Sequence, residues 1–466
     1  MLFSRVIRIG VVGVALFTGT VFASVAQTQA VRHEKRSISL DAYAWTRKSA
    51  APGDTILPLR IALASPTAED LGHEKLMDVS DPTSPNFGKH WTPRQVSEFF
   101  APSPAAVRSV QNWLSSSGLA RSRQEVGPSR ASISVNATVS EAESLLHTKY
   151  HVWERDGDDD QASATSISCD EYYVPESLQQ YISFISPTVN LHYLTYPSPA
   201  TEHAAGGQRH RKRESGFSHG IHGPIRVKVK EGANLTDCSD AVTPDCVKAL
   251  YGIPPPTIAV EGNDMGVFES GDVYDQQSLD QFFTTFASDI PNGTHPLLQS
   301  IDGGTAPAPN VYYGGAESAL DFELVFPLVY PQTVKLFQTL PTTEAASGSV
   351  SFFNAFLDAL DSSYCGGDDP QYDPVYPDEY WSGTNACGVY APTNVISFSY
   401  ALSEATYSPA YERRICAEYL KLGLMGTSII YASGDNGTLS RAGVGGCLAD
   451  GAQNPSFPAS CPVRAL

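Results

Sequence analysis

Between residues 394 and 433 the sequence reads NVISFSY (394–400), SPAYERRICAEYLKLGL (408–424) and TSIIYAS (427–433). The first and third runs are apolar and rich in β-branched and aromatic residues, which is typical of buried strands. The middle run has the length and composition of a helix. Two strands joined by a helix predict parallel neighbours in one sheet, because parallel strands need a long crossover connection.

The same alternation is found upstream of this unit. An apolar run from Met265 to Glu269 and helical stretches at 277–287, 318–326 and 350–360 precede it. We therefore predict an α/β domain with a parallel sheet over residues 236–466. Sites in such sheets lie at the carboxyl ends of the strands, so candidate residues are sought there.

The N-terminus is typical of a secretory signal peptide over residues 1–26. Arg5 and Arg8 precede an apolar run that ends in small residues at Ala23 and Ala26. An uncleaved membrane anchor is the alternative, but the run is shorter than the ~20 residues that a span needs. We predict a secreted, extracellular protein.

A compact region over residues 37–194 follows, with helical stretches at 94–100 and 105–115 and strand-like ones at 131–135 and 150–153. Lys35-Arg36, just before it, is a candidate dibasic trimming site. The composition then changes. Residues 195–235 are rich in Gly, Ser, His and Pro and contain the basic cluster RHRKR (209–213), which predicts an exposed linker with a proteolytic processing site.

Charge is divided unevenly along the chain. The 466 residues carry a net charge of −19, and from Cys238 onward there are 7 basic against 26 acidic residues. An acidic surface loses self-repulsion as carboxylates titrate near pH 4, which favours work in acid. It argues against a nucleic-acid partner, since phosphate would be repelled.

Eight cysteines fit an oxidising compartment, and none forms a paired C-x-x-C set that would indicate zinc. Seven of them lie from Cys238 onward, so at least one of those seven has no partner within that region. Four N-x-S/T sequons are candidate glycosylation sites, at Asn136, Asn234, Asn292 and Asn436.

The segment GGAESALDFEL (314–324) holds the candidate chemistry. Glu317 and Asp321 are four residues apart, so on a helix they project from one face with Cβ atoms about 5–6 Å apart. Like charges at that spacing raise the pKa of one member, and a carboxyl pair can act as base and proton relay in acid, where histidine is fully protonated. The alternative is a solvated acidic helix start, which the helix dipole favours.

Asp435 follows the apolar run 427–433 and so lies at the carboxyl end of a predicted strand. The alternative is an Asp-Asn-Gly turn without chemistry. A serine–histidine triad is disfavoured, because of 11 histidines only His295 lies in the acidic domain. His147 and His151 have helical ligand spacing but no evident third ligand, so no metal site is predicted there.

Five further segments occur in a specific order: VSDPTSPNFGKHWT (79–92), DCVKALYGIP (245–254), VISFSY (395–400), ASGDNG (432–437) and FPASCP (457–462). With these motifs and the secretory prefix, the chain resembles the sedolisins, or serine-carboxyl peptidases, and within them the fungal secreted tripeptidyl peptidases. The resemblance covers nearly the whole chain.

The resemblance implies a subtilisin-like α/β catalytic domain behind a small α/β-sandwich activation propeptide, which helps folding and blocks the cleft. Glu317 would be the general base for a serine, and Asp321 would orient Glu317. Asp435, kept protonated, would donate to the oxyanion. The protein would be a zymogen that acts on proteins and peptides, releases tripeptides from their N-termini and is inhibited by its own propeptide.

The chain also departs from the family pattern. The family's nucleophile is the serine of a G-T-S-x-x-x-P motif beyond FPASCP, and its calcium ligands also lie in that part, whereas this sequence stops at Leu466. The resemblance therefore predicts a C-terminally truncated chain that is inactive as given; the alternative function is a catalytically dead homologue. Ala401 replaces the glycine that usually follows the aromatic residue. Preferred disulfides are Cys365–Cys387 and Cys238–Cys246, and Cys447 or Cys461 is expected to lack a partner.

Overall fold

The computed structural model describes residues 29–36, 45–127, 129–155, 164–189, 238, 241–270, 272–311, 313–339, 353–365, 373, 381, 383–404, 407–434 and 455–462. The predicted signal peptide (1–26) and linker (195–235) lie outside these residues, and so do Asp435 and Cys447. No helix in the described part is both long and apolar enough to cross a membrane.

The first region, residues 29–189, combines antiparallel sheets with helices. Its strands are β1 Ala30–Lys35, β2 Trp45–Ala50, β3 Ile56–Leu63, β4 Gln124–Val126, β5 Ser132–Thr138, β6 His151–Arg155, β7 Ala164–Ser168, β8 Glu171–Pro175 and β9 Ile182–Ser186. Its helices are α1 Pro66–Ser80, α2 Pro93–Phe100, α3 Pro104–Ser116 and α4 Val139–Leu146. The main sheet has the order β4-β5-β3-β9, and apolar side chains of β3 and β5 pack against α3 and α4 in one core.

Local sequence accounts for the helix starts in this region. Helices α2 and α3 begin one residue before their predicted starts, because proline occupies the first position and Thr92 or Ser103 caps the free backbone N–H groups. Helix α4 begins with a capping box between Thr138 and Glu141.

The Lys35-Arg36 pair is not presented as a trimming site. The Arg36 side chain is only 7% exposed. Its guanidinium donates to Ser168 Oγ at 2.9 Å and lies 4.6 Å from the centre of the Trp153 ring. A trimming protease must bind its target arginine in its specificity pocket. The Arg36 side chain is buried in the folded region and is therefore not accessible to a protease.

The second region carries the predicted parallel sheet. Its strands are β10 Met265–Ser270, β11 Leu297–Ile301, β12 Val334–Thr339, β13 Val395–Phe398, β14 Leu402–Ser403, β15 Ser428–Tyr431 and β16 Ser456–Phe457. Its helices are α5 Pro244–Tyr251, α6 Gln276–Phe286, α7 Ala316–Val329, α8 Phe353–Leu360 and α9 Pro409–Leu424. The order β11-β12-β10-β13-β15 is parallel throughout.

The predicted strand–helix–strand unit is confirmed, since β13 pairs in parallel with β15 and α9 connects them. Helices cover both faces of the sheet: one core contains α8 and α9, the other α6 and α7. Phe268, Phe398 and Tyr431 stack across three adjacent strands, with ring centroids 4.7 and 4.4 Å apart. The fold is therefore α/β, as predicted.

Both preferred disulfides are confirmed, Cys238–Cys246 and Cys365–Cys387. Of the two cysteines expected to include one without a partner, Cys461 bonds to Cys416 on α9 and ties the FPASCP segment to that helix, whereas Cys447 lies outside the described residues. Cys169 is a buried free thiol. Burial raises its pKa to about 12, so it stays an unreactive thiol.

The first region packs against α9 of the second. Leu76, Phe100 and their apolar neighbours form one buried cluster with Leu420 and Leu424. The backbone N–H of Trp91, in the VSDPTSPNFGKHWT motif, donates to the Leu424 carbonyl at 2.8 Å and so satisfies a group at the end of the helix. Helix α9 leads directly into β15, so this contact helps to position the strand that precedes Asp435.

Candidate active site

The carboxyl ends of β10 and β13 are neighbours, and acidic and hydroxyl side chains converge there. Glu269 is the penultimate residue of β10, and Asp272 follows the strand. Ser399 and Tyr400 directly follow β13. The buried Gln338 amide, on β12, donates to the carbonyls of Glu269 and Asp272 at 3.3 and 3.1 Å, which holds the backbone after β10 in place.

Helix α7 starts against this loop. Its N-cap residue, Gly315, has no side chain, and the role is taken by Asp272, whose Oδ2 accepts from the Glu317 backbone N–H at 3.3 Å. A Cβ on Gly315 would lie 1.4 Å from Asp272 Oδ1, and one on Gly314 would lie 2.8 Å from the Asp275 Cβ. The two glycines are therefore required for the close approach of the loop to the helix.

We predict that Gly315→Ala moves Asp272 away from the start of α7. The Asp272 side chain is short and can rotate, so the expected loss of stability is modest, about 1–2 kcal/mol. The site is expected to lose more, because misplacement of a catalytic group by about 1 Å can cost 10²-fold in rate. Thermal unfolding and peptidase turnover would be measured on the same preparation.

Ala316→Gly is the matched control, because it alters the neighbouring position without adding atoms. It should lose little turnover. Full activity in the Gly315→Ala variant would show that the Asp272 contact does not matter to the site.

Glu269 is a fully buried acid. Tyr400 Oη donates to its Oε2 at 2.7 Å, while its Oε1 has no hydrogen-bond partner among the described residues. Burial, with the nearby Asp321 carboxyl, holds the pKa of Glu269 well above its usual range, although the Tyr400 and Ser318 hydroxyls oppose the rise. Glu269 therefore keeps its proton to a higher pH than an exposed glutamate does.

Asp321 lies beside Glu269. Burial, with a contribution from Asp272, raises the pKa of Asp321, whereas Ser399 and Glu269 lower it through hydrogen bonding. Ser399 Oγ lies 2.8 and 3.1 Å from the two Asp321 carboxylate oxygens and donates to them. The pKa of Glu269 is raised more strongly than that of Asp321, so Glu269 is the protonated member of this carboxyl pair when the pair holds one proton.

Glu317 and Asp321 both lie on α7, as predicted, and the helical spacing puts them on the same face one turn apart. Glu317 is half-buried at the first turn, where the helix dipole favours a carboxylate. Asp435 lies outside the described residues, so its position relative to this pair stays a prediction. The strand that precedes it, β15, ends at Tyr431 beside β13.

Comparison with known proteins was made by family model and by whole-chain similarity. The family model "Pro-kumamolisin, activation domain" matches residues 43–191. Aorsin of Aspergillus oryzae is 40% identical over 94% of this chain and 68% of its own length. Tripeptidyl-peptidase sed1 of Aspergillus fumigatus is 38% identical over 95% of this chain and 68% of its own length.

The chain belongs to the sedolisin family.

A solved Pseudomonas sedolisin, a serine-carboxyl proteinase complexed with two molecules of pseudo-iodotyrostatin, matches 50% of this chain and 52% of that one, with 18% identity and a TM-score of 0.28. A match this loose does not by itself establish a shared fold. The activation-domain match falls in the region that packs against α9. The first region of this sedolisin is therefore its propeptide.

Sequence reasoning assigned no role to four groups that this sedolisin brings together: Glu269, Asp272, Ser399 and Tyr400. One local signal was available for the first of them. An acidic residue near the end of an otherwise apolar strand must be buried at the edge where such sheets place their sites. For the other groups no local signal exists, because their role depends on which strands are neighbours.

The calcium expected for the family stays a prediction. Among the described residues, no three His, Cys, Asp or Glu side chains are grouped so that they could hold a metal ion.

Proposed function

We propose that this chain is the precursor of a secreted serine-carboxyl peptidase that works in acid and releases tripeptides from protein N-termini. The observation that carries the proposal is the buried network of Glu269, Asp321, Ser399 and Tyr400, placed beside Glu317 at the carboxyl edge of the sheet. The name of one relative, tripeptidyl-peptidase sed1, supports the substrate class.

In this mechanism Glu317 removes the proton from the attacking serine hydroxyl as general base. Asp321 orients Glu317 and accepts a hydrogen bond from it once it is protonated. Glu269, as a neutral acid, donates to Asp321 and so helps Asp321 to stay ionised between its neighbours. Carboxyl groups titrate near pH 4, where an imidazole base would already be charged.

Asp435 would supply the oxyanion donor. A carboxyl group can donate a hydrogen bond only when it is protonated, which requires a raised pKa and favours acid conditions. The nucleophile would be the serine of the family's G-T-S-x-x-x-P motif, which these 466 residues do not contain. The arrangement fits a subtilisin-like catalytic domain.

The propeptide would act as an intramolecular inhibitor and folding aid. Its contact with α9 combines apolar packing with two cation–π interactions. Lys421 Nζ lies 5.5 Å from the centre of the Phe100 ring, and the Arg414 guanidinium lies 5.9 Å from the centre of the Phe184 ring. Processing within 195–235 would separate this region from the peptidase. No nucleic-acid or membrane partner is proposed.

Product analysis of the secreted gene product tests the function. Peptides with a free N-terminus and matched peptides with an acetylated N-terminus would be incubated at about pH 4, where carboxyl groups titrate, and the products read by mass spectrometry. We expect tripeptides from the free peptides alone. Cleavage of both sets at internal bonds would replace the exopeptidase with an endopeptidase. A secreted protein with no turnover of either set would overturn the function in favour of a catalytically dead homologue.

A further inference from the structure

The sequon Asn292-Gly293-Thr294 lies in an exposed turn between α6 and β11. The Thr294 backbone N–H and Oγ both donate to the Pro291 carbonyl, at 3.2 and 2.7 Å, which closes a four-residue turn. Gly293 has φ +87°, which makes this a type II turn with Asn292 at its second position. The turn is fixed to α6, because the Gly293 N–H donates to Asp280 Oδ1 at 2.7 Å.

The turn borders an open, polar groove along α6 of about 710 Å³. Amide, hydroxyl and carboxyl side chains line it: Gln276, Gln277, Asp280, Gln281, Thr284, Thr285 and Asn292. Asn292 Oδ1 accepts from Thr284 Oγ1 at 3.2 Å, and no described hydrogen bond involves its Nδ2. Such a groove offers a sugar ring many hydrogen-bond partners.

We propose that Asn292 carries an N-linked oligosaccharide whose first sugars lie in this groove. The inference rests on the proposed secretion, since the transfer takes place in the secretory pathway. The donor is a lipid-linked oligosaccharyl diphosphate. Asn292 Nδ2 forms a bond to the anomeric carbon and gives up one proton. The anomeric C–O bond breaks, and its electron pair leaves with the diphosphate. Asn292 Oδ1 remains a carbonyl, so its hydrogen bond with Thr284 is kept.

Asn136, the other described sequon, has a different setting. It lies within β5 and is paired with Pro58 of β3, so it belongs to a sheet and not to a turn beside an open groove. The hydroxyl of its sequon residue, Thr138, caps α4. Asn136 would also be lost with the propeptide. Asn234 and Asn436 lie outside the described residues.

Peptide mapping of the secreted precursor tests the site. Treatment with peptide N-glycosidase in ¹⁸O water converts a glycosylated Asn into labelled Asp, so the peptide that holds residue 292 should carry the label. Asn292→Gln and Thr294→Ala should each remove one glycan from the intact mass. Thr294→Ser is the matched control and should keep it, because serine completes the sequon.

The groove is tested by the rate of glycan release. On the folded protein, release from residue 292 should be several-fold slower than after denaturation, and the Gln277→Ala, Gln281→Ala double variant should remove that protection. Equal rates of glycan release from the folded and the denatured protein would show that the first sugars do not lie in the groove.

An unlabelled residue 292 would overturn the glycosylation proposal. Failure of the proposed function is read separately, from tripeptide release and from the location of the protein. If the enzyme is secreted and active but residue 292 is unlabelled, only the glycosylation proposal is refuted. Asn292→Gln should keep the wild-type kcat/KM, because the site does not use this turn.

Discussion

Glu317→Gln is expected to lower kcat/KM of the secreted enzyme by about 10²–10⁴-fold, the range that loss of a general base covers. The amide keeps the shape of the side chain but cannot accept the proton of the nucleophile. The α7 start should remain intact, since Asp272 bonds to the backbone of residue 317 and not to its side chain. The measurement is tripeptide release at about pH 4 together with thermal unfolding, so that a loss of folding is recognised.

Glu323→Gln is the matched control, because it makes the same change on the same helix. The Glu323 carboxyl is not part of the hydrogen-bonded network around Asp321, although burial raises its pKa to about 7. It should keep near-wild-type turnover. Equal losses of turnover in the two variants would show that any Glu-to-Gln substitution on α7 lowers activity, and the result would then not support a specific role for Glu317. Full activity of Glu317→Gln would refute the role of Glu317 as general base.

The second large effect is that the precursor becomes more stable as the pH falls from about 8 to about 4.5. Burial raises the pKa of Glu418 to about 7, and burial with the neighbouring Glu404 raises that of Glu412 to about 8. Each folded group holds its proton at pH values where an unfolded glutamate, with a pKa near 4.5, has lost it. The stabilisation is complete below about pH 4.5 and is lost as the pH rises through the folded pKa.

Glu418 should make the clearest contribution, because it is only 6% exposed, on the face of α9 that packs against the propeptide. Its carboxyl lies 2.6 Å from Lys421 Nζ, and Asp361 lies 3.7 Å from the same nitrogen. Asp361 raises the pKa of Glu418, whereas Lys421 and Arg414 lower it; the burial effect is larger. A shift of this size is worth about 3 kcal/mol.

Urea unfolding of the precursor between pH 4.5 and 8 measures this effect. Glu418→Gln resembles the protonated acid, so its free energy of unfolding should depend less on pH over that range. Glu98→Gln, on the exposed surface of α2, is the control and should keep the wild-type slope. Other groups act with the opposite sign. Burial lowers the pKa of His33, so this residue opposes the trend as the pH falls through about 6.5. Arg123 lowers the pKa of Glu141 to about 2, so that contribution is lost only below about pH 4.5. A precursor that loses stability on acidification from pH 8 would refute the prediction.

Much of the α/β architecture was predictable because its signals are local. The runs 394–400 and 427–433 are rich in β-branched and aromatic residues, which is typical of strands in a parallel sheet. Strands β11 and β12 were not predicted from the sequence. Polar residues interrupt the apolar pattern of β12, although its pairing with β10 makes it a central strand. The Cys416–Cys461 bond was missed for a related reason, since it joins segments that only the folded sheet brings together.

The sequence by itself determined the class of fold, the two predicted disulfides and the helical spacing of Glu317 and Asp321, because each follows from residues a few positions apart or from a compact loop. Only the tertiary structure decided that Glu269 and Tyr400 join that pair, and that Asp272 replaces the missing cap of Gly315. These groups come from separate strands and loops. Their contact depends on which strands are neighbours and on where α7 crosses the sheet edge. Burial at this place raises the pKa of Glu269. Long-range packing, and not local pattern, turned a pair of acidic residues into a network.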